Sequence, residues 1–210
     1  METSAPDLVM NASVVPALVQ TLVLLLAGFV PAAVSGLVLG TLLGLNRWTA
    51  GAAKYLLQVP ASLPAVLLIP ILLILLKQTE PIGSLLVAFS TFWVVAIYTA
   101  IGIQRARRHQ NQMFFAIPSI FQGLRFGLML AWSVMITADI LLSSNQTLGG
   151  YIWDLYNQGT QSLKPVVNAA IAVMVTAFLM DQILNFVGFL IQKRLKPKAV
   201  EPGQASDSTV

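Results

Sequence analysis

Five long apolar runs constrain the fold of this chain more than any other feature. They cover residues 15–45, 55–76, 82–103, 118–142 and 165–191. A transmembrane helix needs about 20 predominantly apolar residues, and only helices or closed barrels satisfy the backbone inside lipid. Because each run is long enough for a helical crossing, the sequence predicts an all-α fold, a polytopic membrane helical bundle of about five transmembrane helices.

The composition indicates a lipid environment. Hydrophobic residues make up 57% of the 210 residues and charged residues only 10%, whereas a soluble domain is about 25% charged. The length suits a single domain. We expect an external N-terminal segment at 1–14, a transmembrane domain at 15–195, and a disordered cytoplasmic tail at 196–210, where Pro, Gly, Ser and Asp become frequent.

The side chains exclude several classes of chemistry. The chain has no cysteine and a single histidine, His109, which excludes disulfides, cysteine nucleophiles and histidine clusters. No phosphate-cradling GxxxxGK[ST] motif occurs. We therefore expect no enzyme activity, no metal and no cofactor. The net charge of +4 comes from basic residues beside the apolar runs, so it predicts membrane topology and no nucleic-acid binding.

Prolines and amphipathic patterning distinguish two segments. The second run carries Pro60, Pro64 and Pro70. Because proline interrupts the helical hydrogen-bond ladder, we expect this helix to be bent and to lie inside the bundle, where neighbours satisfy the freed carbonyls. Pro31 predicts a kink in the first run. Residues 148–158 are amphipathic and too short to cross, which favours a helix lying at the membrane surface.

The lysines and arginines between the runs predict the orientation, because cytoplasmic loops carry an excess of these residues. One alternate set of connections holds nine of them and the other only two. We therefore predict a cytoplasmic C-terminus, an external N-terminus, and an external position for Trp153 and Tyr156. The nine are Arg47, Lys54, Arg105, Arg107, Arg108, Lys193, Arg194, Lys196 and Lys198, and the two are Lys77 and Lys164.

Small residues recur on two of the predicted helices. A stripe of small residues lets another helix approach closely inside a membrane. Each stripe is therefore either an ordinary packing face within the chain or a subunit interface. The first stripe is Gly36, Gly40 and Gly44, and the second is Gly123, Gly127 and Ala131.

Ionisable residues within the runs are candidate functional groups, because charge inside lipid is costly. Arg125 is either a gate or interface residue, or a side chain that reaches the cytoplasmic headgroups. Asp139 can pair with Lys164, cap the following turn, or lie at the external mouth. Asp181 lies four residues before Asn185, so a hydrogen-bonded pair on one helix face is expected, with a structural role.

The segment 117–158 also carries a family pattern. It reads PSIFQGLRFGLMLAW, then places an acid at the end of that helix, and continues with GGYIWDLYN. Upstream are LGTLLGLNRW at 39–48 and YLLQVPASLPAVLLIPI at 55–71. In these motifs the chain resembles the permease subunits of binding-protein-dependent ABC importers, in the branch for nitrate, bicarbonate and sulfonates such as taurine. The resemblance implies a bacterial inner-membrane protein, or its organellar equivalent.

The resemblance also implies partners and a path. It predicts a second permease-like subunit, identical or different, an ATPase subunit and an external solute-binding protein. In the family the helix at 118–142 lines the translocation path, so the predicted path or gate face is Arg125, Met129, Trp132 and Asp139.

One part of the family pattern is missing. Family members carry a cytoplasmic loop with Glu-Ala-Ala and a later Gly, whose two short helices contact the ATPase. Here the connection at 104–117 reads QRARRHQNQMFFAI. It resembles a shortened coupling loop that keeps a basic cluster, namely Arg105, Arg107 and Arg108.

Two functions remain open at this point. In the first, the chain is a permease subunit of an ABC importer for a small hydrophilic solute, such as nitrate, bicarbonate or a sulfonate. In the second, it is a transport-inactive permease relic that serves as an accessory or assembly subunit of another membrane complex, with its basic loop binding anionic lipid or an acidic partner.

Overall fold

The computed structural model describes residues 14–45, 58–108, 113–142, 147–157 and 164–195. The predicted N-terminal segment and C-terminal tail lie almost entirely outside these residues. Besides a helical turn at 58–61, the described part of the chain contains six α-helices. They are α1 (Val14–Leu45), α2 (Ile69–Leu76), α3 (Glu80–Arg108), α4 (Ile117–Leu142), α5 (Leu148–Asn157) and α6 (Lys164–Leu195).

Four of the described helices, α1, α3, α4 and α6, are long and apolar enough to cross a membrane. The all-α membrane bundle predicted from the apolar runs is therefore confirmed. The second run differs from the prediction, because its described part consists of a helical turn at 58–61, a 3₁₀ turn at Ala65–Leu68 and the eight-residue α2. At 1.5 Å per residue α2 spans only about 12 Å, too little for a crossing.

The prolines explain how the second run is broken. Pro64 has an extended backbone, with φ −61° and ψ 115°, directly before the 3₁₀ turn. Pro70 lies in the first turn of α2, where a missing N–H costs nothing. The expectation of a bent helix is thus confirmed. Its expected interior position is wrong for the single chain, because Ile74 and Leu75 are 78% and 74% exposed, and among the described residues of the run only Ala65 and Ile69 are buried.

Helices α1 and α3 form the most extensive helix contact in the described part of the chain, and they run parallel. The α1 glycines lie directly against α3, so that a Cβ on Gly36 would stand 2.8 Å from the carbonyl oxygen of Phe92. The contact partners advance along both helices together: Gly28 with Ser84, Gly36 with Phe92, Gly40 with Ala96, and Gly44 with Ile103. Parallel neighbours require the chain to return between α1 and α3, and the 3₁₀ turn and α2 belong to this returning segment.

The remaining long helices alternate in direction. Gly102 of α3 contacts Ala116 just before α4, and Gly83 contacts Met135 near the other end, so α3 and α4 are antiparallel. Gly188 of α6 lies against Phe121 of α4, which places the end of α6 beside the start of α4.

This arrangement gathers the ends of α1, α3 and α6 on one side of the bundle, which we call the basic side. Five basic residues of the final helical turns lie there: Arg105, Arg107, Arg108, Lys193 and Arg194.

The main core lies between α1, α3 and α4, with Leu25, Leu86 and Met135 at its centre. Helix α6 contributes little to it, and its Met174, Phe178 and Phe186 are at least 60% exposed. The polar contacts of α6 with α4 therefore matter for its position.

Candidate functional site

The predicted path face of α4 is divided in the structure. Met129 is 61% exposed, whereas Trp132 and Asp139 are only 5% and 4% exposed and pack within the chain. Arg125 lies at the boundary between the two environments. The four residues lie close to one face of α4, but part of this face packs into the core and part is exposed. They therefore do not line one continuous exposed surface.

Arg125 is bound to Asp181 of α6. Its Nε and Nη2 atoms donate to the two carboxylate oxygens of Asp181, each at 2.6 Å. The paired side chains are partly accessible, 41% for Arg125 and 22% for Asp181. This bidentate geometry is the strongest form of the Arg–carboxylate hydrogen bond. The pair connects α4 and α6. Asp181 is therefore bound to Arg125 and not to Asn185 as expected. Arg125 makes an interhelical contact, which differs from the alternative in which its side chain only reaches the headgroups.

A cleft of about 370 Å³ opens beside this ion pair, between the first turns of α4 and the last turns of α6. Arg125 and Gln122 line it from α4, and Asn185 and Gln192 line it from α6. Pro118, Phe121 and Phe189 form apolar walls. Asn185, expected to bond to Asp181, thus lines the cleft. Gln122 and Gln192 were missed by sequence reasoning, because their significance lies only in the pairing of two distant helices.

Asp139 holds the start of α5. Its carboxylate accepts hydrogen bonds from the Thr147 hydroxyl and the Gly149 backbone N–H. Next to it, the backbone N–H of Leu148 donates to Thr21 Oγ1 of α1 at 2.9 Å. Two of the unpaired amides at the N-terminus of α5 are thereby satisfied. Of the alternatives for Asp139, capping of the following turn describes this geometry, and the Lys164 side chain lies outside the described residues.

The basic cluster belongs to a helix and not to a loop. Helix α3 continues to Arg108, beyond the end expected near 103. The apolar run ends there, but the polar residues 104–108 remain helical. Arg105 Nη1 donates to Ser119 Oγ of α4 at 2.7 Å, and Arg107 Nη1 donates to the carbonyl of Leu45 at the end of α1. Two of the three arginines therefore join helix ends on the basic side.

The second small-residue stripe faces α3. A Cβ on Gly123 would stand 2.5 Å from the Cβ of Tyr98, and one on Gly127 would stand 3.2 Å from Thr91 Cγ2. Like the α1 glycines, these residues lie in a contact within the chain.

An aromatic pair marks the surface of α5. The rings of Trp153 and Tyr156 stack with centroids 5.5 Å apart, and Tyr156 is 72% exposed. This is the amphipathic surface expected of a helix at a membrane interface. Among the described residues no group of three or more His, Cys, Asp or Glu side chains could hold a metal ion.

Apolar helices of membrane length that are joined by polar and charged contacts define an integral membrane protein of the polytopic helical class. No family model matches the chain. Sequence comparison with individual proteins, however, finds clear relatives.

The chain is 29% identical to the nitrate import permease protein of Synechocystis sp. over 181 residues, which cover 78% of this chain and 65% of the relative. It is 28% identical to the bicarbonate transport system permease protein of Synechococcus elongatus over 180 residues, 78% of this chain and 63% of the relative. The taurine transport system permease protein of Escherichia coli is 26% identical over 212 residues, 92% of this chain and 74% of the relative.

The chain is thus similar to nitrate, bicarbonate and taurine transport permeases, the resemblance that the motifs predicted. It spans slightly less than two thirds of the length of the nitrate and bicarbonate relatives. All of these relatives are transport permeases, and they give no support to the accessory-subunit alternative.

Proposed function

We propose that this chain is a permease subunit of an inner-membrane ABC importer for a small hydrophilic anion. The observation that carries the proposal is the similarity to nitrate, bicarbonate and taurine permeases over at least 78% of the chain. The bundle supports it, because two polar residues of the family motif join elements of the bundle: Arg125 is paired with Asp181 of α6, and the buried Asp139 accepts hydrogen bonds from the start of α5. Nitrate, bicarbonate and a sulfonate are the candidate solutes, and the chain itself performs no covalent chemistry.

In this proposal the basic side faces the cytoplasm. Arg105, Arg107, Arg108, Lys193 and Arg194 all lie at the ends of α3 and α6 on that side, and cytoplasmic boundaries are rich in Lys and Arg. Helix α5, with its stacked Trp153 and Tyr156, then lies at the external interface.

The proposed partners are a second permease subunit, identical or different, a soluble ATPase and an external solute-binding protein. The ATPase would meet the basic side at the connection between α3 and α4. This connection is short: only residues 109–116 separate the two helices, and Met113–Phe115 form a 3₁₀ turn. We propose that a partner permease with a full coupling loop takes up the main ATPase contact, and that this chain contributes a smaller one.

The function is tested by deleting the gene in its native host and measuring uptake of ¹³N-nitrate, ¹⁴C-bicarbonate and ³⁵S-taurine. Loss of uptake of one solute, restored by the intact gene, is the expected result. Unchanged uptake of all three would overturn the proposed substrate class. A C-terminally tagged chain, purified in mild detergent, should also bring an ATPase and a second permease in near-equal amounts. Recovery of a different membrane complex would overturn the importer assignment.

A matched variant separates transport from assembly. Met129 is 61% exposed on α4 beside the ion pair, so Met129→Trp should obstruct a path along this face while leaving the core intact. Met174→Trp on α6, at a residue 64% exposed, is the control. We expect uptake to fall only for Met129→Trp, with both variants expressed at the level of the original protein. Equal uptake by the two variants would exclude Met129 from the path.

A further inference from the structure

The cleft between α4 and α6 has more polar groups than packing requires. Gln122, Arg125, Asn185 and Gln192 face the same volume. Gln122 and Asn185 are exposed, and Arg125 and Gln192 are half-buried, so all four side chains are accessible to a ligand. A structural tether between the helices needs only the Arg125–Asp181 pair.

The hydrogen-bonding groups of the cleft are available to a ligand. Within the described part of the chain, the side chains of Gln122, Asn185 and Gln192 make no hydrogen bond. A guanidinium has five N–H donors, and Asp181 uses two of those of Arg125. The remaining donors and the amide NH₂ groups can converge on one acceptor.

The electrostatic setting favours an acceptor with negative charge. The cleft lies at the N-terminal turns of α4, where the helix dipole is positive, and at the last turns of α6, where it is negative, so the two dipoles largely offset each other. Lys193 and Arg194 follow Gln192 directly in the last turn of α6. Because Asp181 already balances Arg125, binding depends on the amides and on the basic residues of the last turn of α6 as well as on the guanidinium.

The cleft is large enough to hold an oxyanion. A water molecule occupies about 30 Å³ of liquid, so the 370 Å³ cleft exceeds what a nitrate or a sulfonate group requires. The apolar walls formed by Phe121 and Phe189 can accept carbon atoms attached to such a group.

We propose that the α4–α6 cleft is an oxyanion-binding site, in which Arg125 and the amides of Gln122, Asn185 and Gln192 hold a phosphate, sulfonate, carboxylate or nitrate group. Two sources supply this chemistry at the membrane boundary. One is the phosphate of a lipid headgroup, whose chains would lie along the exposed face of α6, and the other is a soluble anion. The site does not depend on transport activity.

The test uses the full chain purified in a neutral detergent. Native mass spectrometry measures binding of phosphatidylglycerol against a diacylglycerol of the same chains, which lacks the phosphate. Thermal unfolding at constant ionic strength measures stabilisation by nitrate, taurine or inorganic phosphate relative to chloride. Preferential binding of phosphatidylglycerol identifies the lipid source, and stabilisation by a soluble anion identifies the other. Absence of both would overturn the proposal.

The double variant Gln122→Leu/Asn185→Leu removes two ligand groups and keeps the Arg125–Asp181 pair. We expect its apparent affinity to fall about thirtyfold, since two lost hydrogen bonds of about 1 kcal/mol each amount to about 2 kcal/mol and a factor of ten corresponds to about 1.4 kcal/mol. Gln182→Leu is the matched control, because Gln182 is an exposed glutamine of α6 that does not line the cleft. Equal affinity of the double variant and the control would overturn the proposal, and Gln192→Leu gives the same comparison if the double variant does not fold.

Discussion

Gly149 of α5 lies so close to Asp139 of α4 that a Cβ on residue 149 would stand 2.5 Å from the Asp139 Cβ. The same approach allows the Gly149 N–H to donate to the Asp139 carboxylate. A glycine and a carboxylate therefore attach a surface helix to the end of a membrane-spanning helix. In the sequence, Asp139 and the pair Gly149–Gly150 are separate features of the family motif. In the structure, Asp139 and Gly149 are in direct contact.

Replacement of this carboxylate should loosen α5. Asp139→Ala removes the acceptor for Thr147 and Gly149, and a buried donor left unpaired costs about 1–3 kcal/mol. We expect a loss of stability in this range, measured by unfolding in detergent. Asp139→Asn keeps one carbonyl acceptor and should lose less. The same loss for Asp154→Ala, a partly exposed acid on α5, would show that the effect is not specific to the anchor.

The α1 glycine stripe should tolerate no larger side chain. Gly40 lies against Ala96 and Thr99 of α3, and overpacking a close contact costs about 1–3 kcal/mol or more. We expect Gly40→Leu to reduce the yield of folded protein and its unfolding temperature. Val38→Leu serves as the control, since Val38 is 57% exposed on the same helix. A stable Gly40→Leu protein would contradict the observed separation of α1 and α3.

Helix positions are largely predictable from this sequence because hydropathy and length determine a crossing. The run 118–142 corresponds to Ile117–Leu142 and the run 165–191 to Lys164–Leu195. Prolines also predicted the break of the second run. Its short α2 was not predicted, because hydropathy measures preference for lipid and not continuity of a hydrogen-bonded helix.

The site was less predictable because it depends on contacts between distant helices. Asn185 lies one turn from Asp181, which made it the natural local partner, yet Arg125 provides a charged donor from another helix. Likewise, Arg107 reads as part of a basic loop, and its contact with the Leu45 carbonyl depends on α1 and α3 being parallel. Periodicity assigns residues to a face of one helix, but it does not specify which faces of different helices contact each other.

The Arg125–Asp181 pair should contribute measurably to the position of α6. Its partial exposure, 41% and 22%, places it between an exposed pair worth about 0–1 kcal/mol and a buried pair whose disruption costs about 3–5 kcal/mol. We expect a double-mutant cycle of Arg125→Leu and Asp181→Leu to give a coupling free energy of about 1–2 kcal/mol. A coupling near zero would mean that apolar packing alone holds α6.

The orientation is directly testable because the chain has no cysteine of its own. Single cysteines at Arg108 and Lys193 report the basic side, and single cysteines at Trp153 and Tyr156 report the surface of α5. The positive-inside rule predicts a cytoplasmic basic side. In intact cells a membrane-impermeant maleimide should therefore label positions 153 and 156, and it should label 108 and 193 only after the membrane is opened. The reverse pattern would invert the bundle, place the α4–α6 cleft at the external face, and remove the ATPase contact proposed for the α3–α4 connection.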